Sequence, residues 1–207
     1  MRSGIGAICH LMFRRWTILS CCVVVLGQFA GMGSMKAIAE EKKVQLVFSE
    51  GHDTAKEDHG RPVVLIAAAL KVKTEEFRKA FSAVTPAKDG KPTGEEARAN
   101  KEALMKVLKP LGVTNDRLDE VSDYYRYQPQ KGKLWKHSLA EGYALVEDGK
   151  IKKIVVTEPG AGYSSTPKVI IEGMDQIKLQ ATVKYDKDLK KNGAISDVAV
   201  ATNKADR

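Results

Sequence analysis

EPGAGYSSTPKVIIEG, Glu158 to Gly173, decides how the C-terminal half folds. Pro159 and Pro167 fix φ and remove two backbone donors, so no helix runs through the stretch. Gly160 and Gly162 permit positive φ, and the hydroxyls of Ser164, Ser165 and Thr166 are placed to bond the local backbone. Tyr163 is the only large side chain of the turn. Lys168 to Ile171 then reads as a strand, and the Tyr163 ring is expected to pack against it or its neighbour.

The flanking segments repeat each other. YALVEDGKIKKIVVT (Tyr143 to Thr157) corresponds to QATVKYDKDLKKNGAISDVAVAT (Gln180 to Thr202), with Ala144 and Val146 matching Ala181 and Val183. Gly149 and Ile151 match Gly193 and Ile195, while Ile154 and Val156 match Val198 and Val200. Asp148-Gly149 and Asn192-Gly193 are hairpin signals, since both types tolerate positive φ. Ile151 and Ile154 differ in parity, so either a bulge separates them or both strand faces are buried. The two hairpins are expected to share one sheet, because isolated hairpins are marginal in water.

PGAGYSSTPKVII resembles the Pro-Gly-x-Gly-Tyr-x-Ser-x-Pro-x-Val-x-Ile repeat of phage tail-fibre and secreted surface proteins, which implies a β-structural unit without catalytic residues. The chain as a whole, with GHDTAKEDHGRPVVLIAAAL and GVTNDRLDEVSDYYRY ahead of that repeat, resembles an uncharacterised family of secreted bacterial proteins. That likeness implies export and nothing about chemistry.

Upstream, Val44, Leu46 and Phe48 alternate as a short strand. A polar loop, SEGHDTAKEDHGR, leads to Pro62 and the apolar run VVLIAAAL, read as a buried helix. A second helix follows Thr74. Thr93 can cap a third through Leu108, and Thr114 a fourth through Tyr125. LKVKTEEFRKA (Leu70 to Ala80) aligns without gaps to LGVTNDRLDEV (Leu111 to Val121), so the four helices read as two related hairpins closing into a small bundle.

The N-terminus reads as a signal peptide over 1–39. Arg14 and Arg15 precede an apolar run from Trp16 to Ala30, and Ala37-Ile38-Ala39 supplies a cleavage site. Cys9, Cys21 and Cys22 all lie there, so cleavage after Ala39 leaves neither a disulfide framework nor a cysteine–metal site. Cleavage would remove Arg2, Arg14, Arg15 and Lys36, lowering the formal charge from +8 to +4. The remaining basic excess falls after residue 128.

The expected fold is therefore α+β. A helical part with a short leading strand (40–128) is followed by a linker (129–138) and an antiparallel β domain of two hairpin repeats (139–207). Periplasm or extracellular space is the expected location, with no membrane span after signal removal. Tyr124, Tyr125, Tyr127, Trp135 and Tyr143 cluster around the linker, either as a sugar-stacking platform or as the buried joint, the reading favoured here.

The expected function is a non-enzymatic binding or structural module without cofactor, contacting a cell-surface polymer such as an anionic glycan, or another exported protein. Nucleic acid is not an expected partner outside the cytoplasm. The candidate ligand contacts are Tyr163, Trp135, Lys152 and Lys153. The alternative is a metal-dependent hydrolase built on the Glu50–His59 loop, with His52, Asp53, Asp58 and His59 as ligands of a divalent ion.

Overall fold

Strand β1 (Lys42–Ser49) overturns the expected order of parts. The computed structural model describes residues 41–85, 92–127 and 132–201, so the expected signal peptide lies outside the described residues. Four helices follow β1: α1 (Val63–Leu70), α2 (Thr74–Phe81), α3 (Gly94–Leu108) and α4 (Asn115–Tyr124). Then come β2 (Glu141–Glu147), β3 (Lys150–Glu158), β4 (Lys168–Ile171), β5 (Leu179–Lys184) and β6 (Ala194–Val200). The chain is α+β with a curled antiparallel sheet, but it is not a helical bundle followed by a self-contained β domain. β1 sits inside the four-stranded sheet β3-β2-β1-β4, and the helices are an insertion between it and its partners.

The first half of β1 pairs with β2, Lys42 opposite Val146 through Gln45 opposite Tyr143. Its second half pairs with β4, Leu46 opposite Ile171 through Ser49 opposite Lys168. The alternation of Leu46 and Phe48 buries both against Ala144, Val169 and Ile171. A five-residue apolar alternation shows that a strand exists; it says nothing about which edge the strand fills.

The two repeated hairpins also depart from the shared sheet expected of them. β5 and β6 form their own two-stranded ladder. They still touch the larger sheet, β5 against β4 and β6 against β3, and Ile195 N donates to Pro159 O at 2.8 Å. The Pro159–Tyr163 turn stands where a continuous ladder between β3 and β6 would run.

Within each hairpin the duplication is faithful. Leu145 pairs with Lys153 and Val146 with Ile151, which leaves Lys152 as a bulge. Thr182 pairs with Asp197 and Val183 with Ile195, which leaves Ser196 bulged at the equivalent place. The bulge resolves the parity conflict, since it turns Ile154 and Val198 back toward the core. Asp148 and Gly149, at φ 50° and 72°, close the first hairpin as a two-residue turn. Asn192-Gly193 has another role. It ends a longer loop and is driven into the interior, with Asn192 wholly buried.

The helical repeat is legible at its turns. Lys71 and Gly112 both take left-handed φ, 59° and 87°, directly after the last helical or 3-10 residue. Val72 N then bonds Ala67 O at 3.0 Å, and Val113 N bonds Leu108 O at 3.2 Å, the same closing bond in both copies. Leu111 breaks the match, being exposed where Leu70 is buried. Thr93 caps α3 in a full capping box with Glu96, and Thr114 Oγ1 accepts from Arg117 N at 3.3 Å. Leu65, Phe77, Ala80, Leu108, Leu118 and Val121 form the helical core.

Three side chains fasten this core to the strands. Asn192 Nδ2 donates to Leu65 O in α1 at 2.7 Å, and its Oδ1 accepts from Asp186 N at 3.0 Å. Trp135 Nε1 donates to Gly162 O at 2.8 Å. The Arg117 guanidinium of α4 bridges Ala69 O and Lys187 O at 3.0 and 2.5 Å. Gly193 lies at the tightest point: a Cβ there would stand 2.6 Å from Tyr163 O and 2.7 Å from Leu65 Cδ2, at φ 70°. Gly193→Ala is expected to destabilise the protein by roughly 3 kcal/mol, combining left-handed strain with overpacking. Gly173→Ala, also at positive φ but facing open space, should cost only about 1 kcal/mol. Equal midpoint shifts for the two variants in urea unfolding would contradict this packing.

Candidate functional site

The loop between β1 and α1 divides its polar residues between two places. Its first half is tied to the glycine turn. Gly51 O accepts from Ser164 N and Ser165 N at 3.0 and 3.1 Å. Ser164 Oγ donates to Asp53 O at 2.7 Å, and Asp53 N donates to Ser165 Oγ at 3.1 Å. These bonds carry the His52 ring to Tyr163 at 5.3 Å between centroids, to His137 at 4.5 Å and to Trp135 at 5.9 Å.

The second half turns the other way. Asp58 is buried at the end of a 3-10 turn (Lys56–Asp58), where a free carboxylate would be costly. Arg78 of α2 answers it with two parallel bonds, Nε to Oδ1 at 2.8 Å and Nη2 to Oδ2 at 2.9 Å. That fork is a strong carboxylate geometry, and the bond to Asp58 holds Arg78 above its ordinary range. His59, at φ 49°, ends the turn exposed. Asp58 is thus committed to Arg78 while His52 lies among aromatic rings. Among the described residues no three His, Cys, Asp or Glu side chains gather as metal ligands. The set His52, Asp53, Asp58 and His59 does not converge.

The expected ligand contacts are corrected at their aromatic members. Trp135 and Tyr163 are 2% and 0% exposed and present no face to solvent. Both are placed by hydrogen bonds, since the Tyr163 hydroxyl accepts from Ala140 N at 2.9 Å and Trp135 donates to Gly162 O. With Tyr125, also 2% exposed, they bury the joint. Lys152 Nζ is paired with Glu147 at 2.5 Å across the hairpin, and Lys153 is exposed on β3.

A different cation stands at a cleft. Glu57, Asp58, His59, Arg61, Val63, Arg78, Phe81, Ser82 and Val84 line a hollow of about 650 Å³. The Arg61 guanidinium lies 4.5 Å from the centre of the Phe81 ring. Among the described residues it has no carboxylate partner, and burial lowers its pKa from the ordinary value. A larger hollow of about 720 Å³ beside α3 is bordered by Arg98, Lys101 and Lys109. Its Lys101 is already paired with Asp119 at 2.6 Å. Sequence spacing gave no sign of the Arg61 site, because Phe81 arrives from the next helix.

No family model, curated protein or solved structure matches this chain. No helix among the described residues is long and apolar enough to cross a membrane.

His52 gives the site a pH signature. Burial, and then the neighbouring His137, lower its pKa from 6.5, outweighing the Glu50 carbonyl and Asp53, which act the other way. The folded state therefore resists a proton that the unfolded chain accepts. Stability contributed by neutral His52 is present above pH ~6.5 and is lost as pH falls below it. The melting temperature should drop between pH 7.5 and 5.5, and His52→Gln should flatten that slope. A variant with the parental slope would show that His52 is not the group responsible.

Proposed function

We propose that the protein is an exported, non-enzymatic binding module that takes a carboxylate-bearing ligand, such as a uronic-acid unit of a surface polymer, at the Arg61 cleft. The observation that carries this reading is the Arg61 guanidinium, half-buried on Phe81 with no anion beside it among the described residues. A desolvated cation without a counter-charge costs free energy that an incoming anion recovers. The planar fork of arginine suits a carboxylate. Val63, Phe81 and Val84 give the cleft an apolar floor for the body of the ligand, as small-molecule sites usually have.

Charge narrows the class. Glu57 and Asp58 share the cleft, and only Asp58 is neutralised at close range by Arg78, with Glu57 3.7 Å from the same guanidinium. Two carboxylates on one wall favour a singly charged ligand over a phosphate dianion. Export rests on the leader expected over 1–39.

Calorimetric titration with oligogalacturonate, against a neutral oligosaccharide of equal length, tests the reading. Binding should occur only to the charged ligand and weaken with salt. Arg61→Ala should reduce affinity about 10- to 100-fold, the range for a charge-assisted hydrogen bond. Equal binding of the neutral ligand, or full affinity in Arg61→Ala, would refute the assignment.

A further inference from the structure

We propose that His52 and His137 form a two-histidine site for a transition-metal ion, with Cu(II) as the preferred occupant. This stands on different residues from the Arg61 cleft and does not depend on it.

One ring is oriented by a backbone carbonyl, and the other buries a nitrogen that nothing satisfies. His137 Nδ1 lies 2.8 Å from Trp135 O. A carbonyl oxygen only accepts, so this nitrogen carries the proton and Nε2 keeps its lone pair. In His52 it is Nε2 that is buried with no hydrogen-bond partner. In His137 a carbonyl on Nδ1 leaves Nε2 free, the arrangement that fixes metal-ligating histidines. A buried ring nitrogen without a partner is also costly and calls for an explanation.

The spacing favours one geometry. A metal held by Nε2 at ~2.0–2.1 Å stands roughly 3.2 Å from the ring centre. For an ion that both Nε2 atoms face, ring centres 4.5 Å apart would subtend about 90°, a cis pair in a tetragonal site rather than a tetrahedral edge. Square-planar or tetragonal nitrogen and oxygen ligation suits Cu(II), and Cu(II) also heads the affinity order for such donors.

The surroundings allow it. Trp135 and Tyr163 form the inner wall beside His52, while His137 is exposed. Asp53 places a negative charge near His52. Among the described residues no third His, Cys, Asp or Glu completes a cluster, so water or an exogenous donor fills the remaining positions.

The test is titration of the purified protein with CuCl₂, followed by calorimetry and electron paramagnetic resonance. One equivalent should bind with a tetragonal spectrum carrying hyperfine coupling from two imidazole nitrogens. His137→Gln should weaken that equivalent at least ~10-fold, since even outer-shell partners of a metal matter by that much. His59→Gln should leave it unchanged. His137 is exposed, so its variant should melt like the parent without metal, which separates lost binding from lost folding. Absence of a saturable equivalent, or one that survives His137→Gln with full affinity, would overturn the proposal, as would one abolished by His59→Gln.

Discussion

A fully buried tyrosine ring seats the loops through which the helices and strands of this chain are joined. Tyr163 is fully buried. A Cβ at Gly51 would come within 2.6 Å of its ring, and one at Gly193 would come equally close to its carbonyl oxygen. Its hydroxyl accepts from Ala140 N, its backbone N donates to Gly193 O at 3.0 Å, and the next residue donates to Gly51 O. Segments near residues 51, 140 and 193 therefore meet at one residue. A buried aromatic of this kind removes ~150–250 Å² from water, and its hydrogen bonds fix where each segment must stop.

From that joint the rest of the architecture follows. Asn192, seated beside Gly193, reaches Leu65 O and ties α1 to the β5–β6 loop. Trp135 reaches Gly162 O and belongs to the helical core at the same time. The β1–α1 loop is pulled onto the turn by Ser164 and Ser165, which leaves His52 stacked on Tyr163. Beyond that anchor the loop is free to fold back, and Asp58 finds Arg78. The two candidate sites are thus opposite ends of one loop, separated by the bonds that hold its middle.

Local patterns were legible in the sequence where local physics decides them. Thr93 marked the start of α3, Asp148-Gly149 the first hairpin, and the parity of Ile151 and Ile154 required a bulge or a doubly buried strand. The duplicated Val72 and Val113 marked two equivalent helix ends. Long-range choices were not legible. Nothing in VQLVF says that β1 completes an edge of β2 and β4, and that choice replaced a sequential α-then-β chain by a sheet with a helical insertion. Asn192-Gly193 reads as a turn tip by residue type, yet burial of its amide makes it an interior contact. Of the candidate site residues, the turn aromatics proved to be buried in the joint. Arg61 and the His52–His137 pair needed tertiary structure to bring them to their partners.

The central claim is that the helices and strands from β1 onward form one cooperative unit joined around the Tyr163 turn, and native-state hydrogen exchange tests it most directly. The amides of Leu118 in α4, Tyr163 in the turn and Ala140 beside it are all hydrogen-bonded. They should open with the same free energy and the same denaturant dependence, that of global unfolding. If Leu118 exchanged through a lower-energy opening while Tyr163 and Ala140 stayed protected, the helices would be an independent unit and the claim would be wrong.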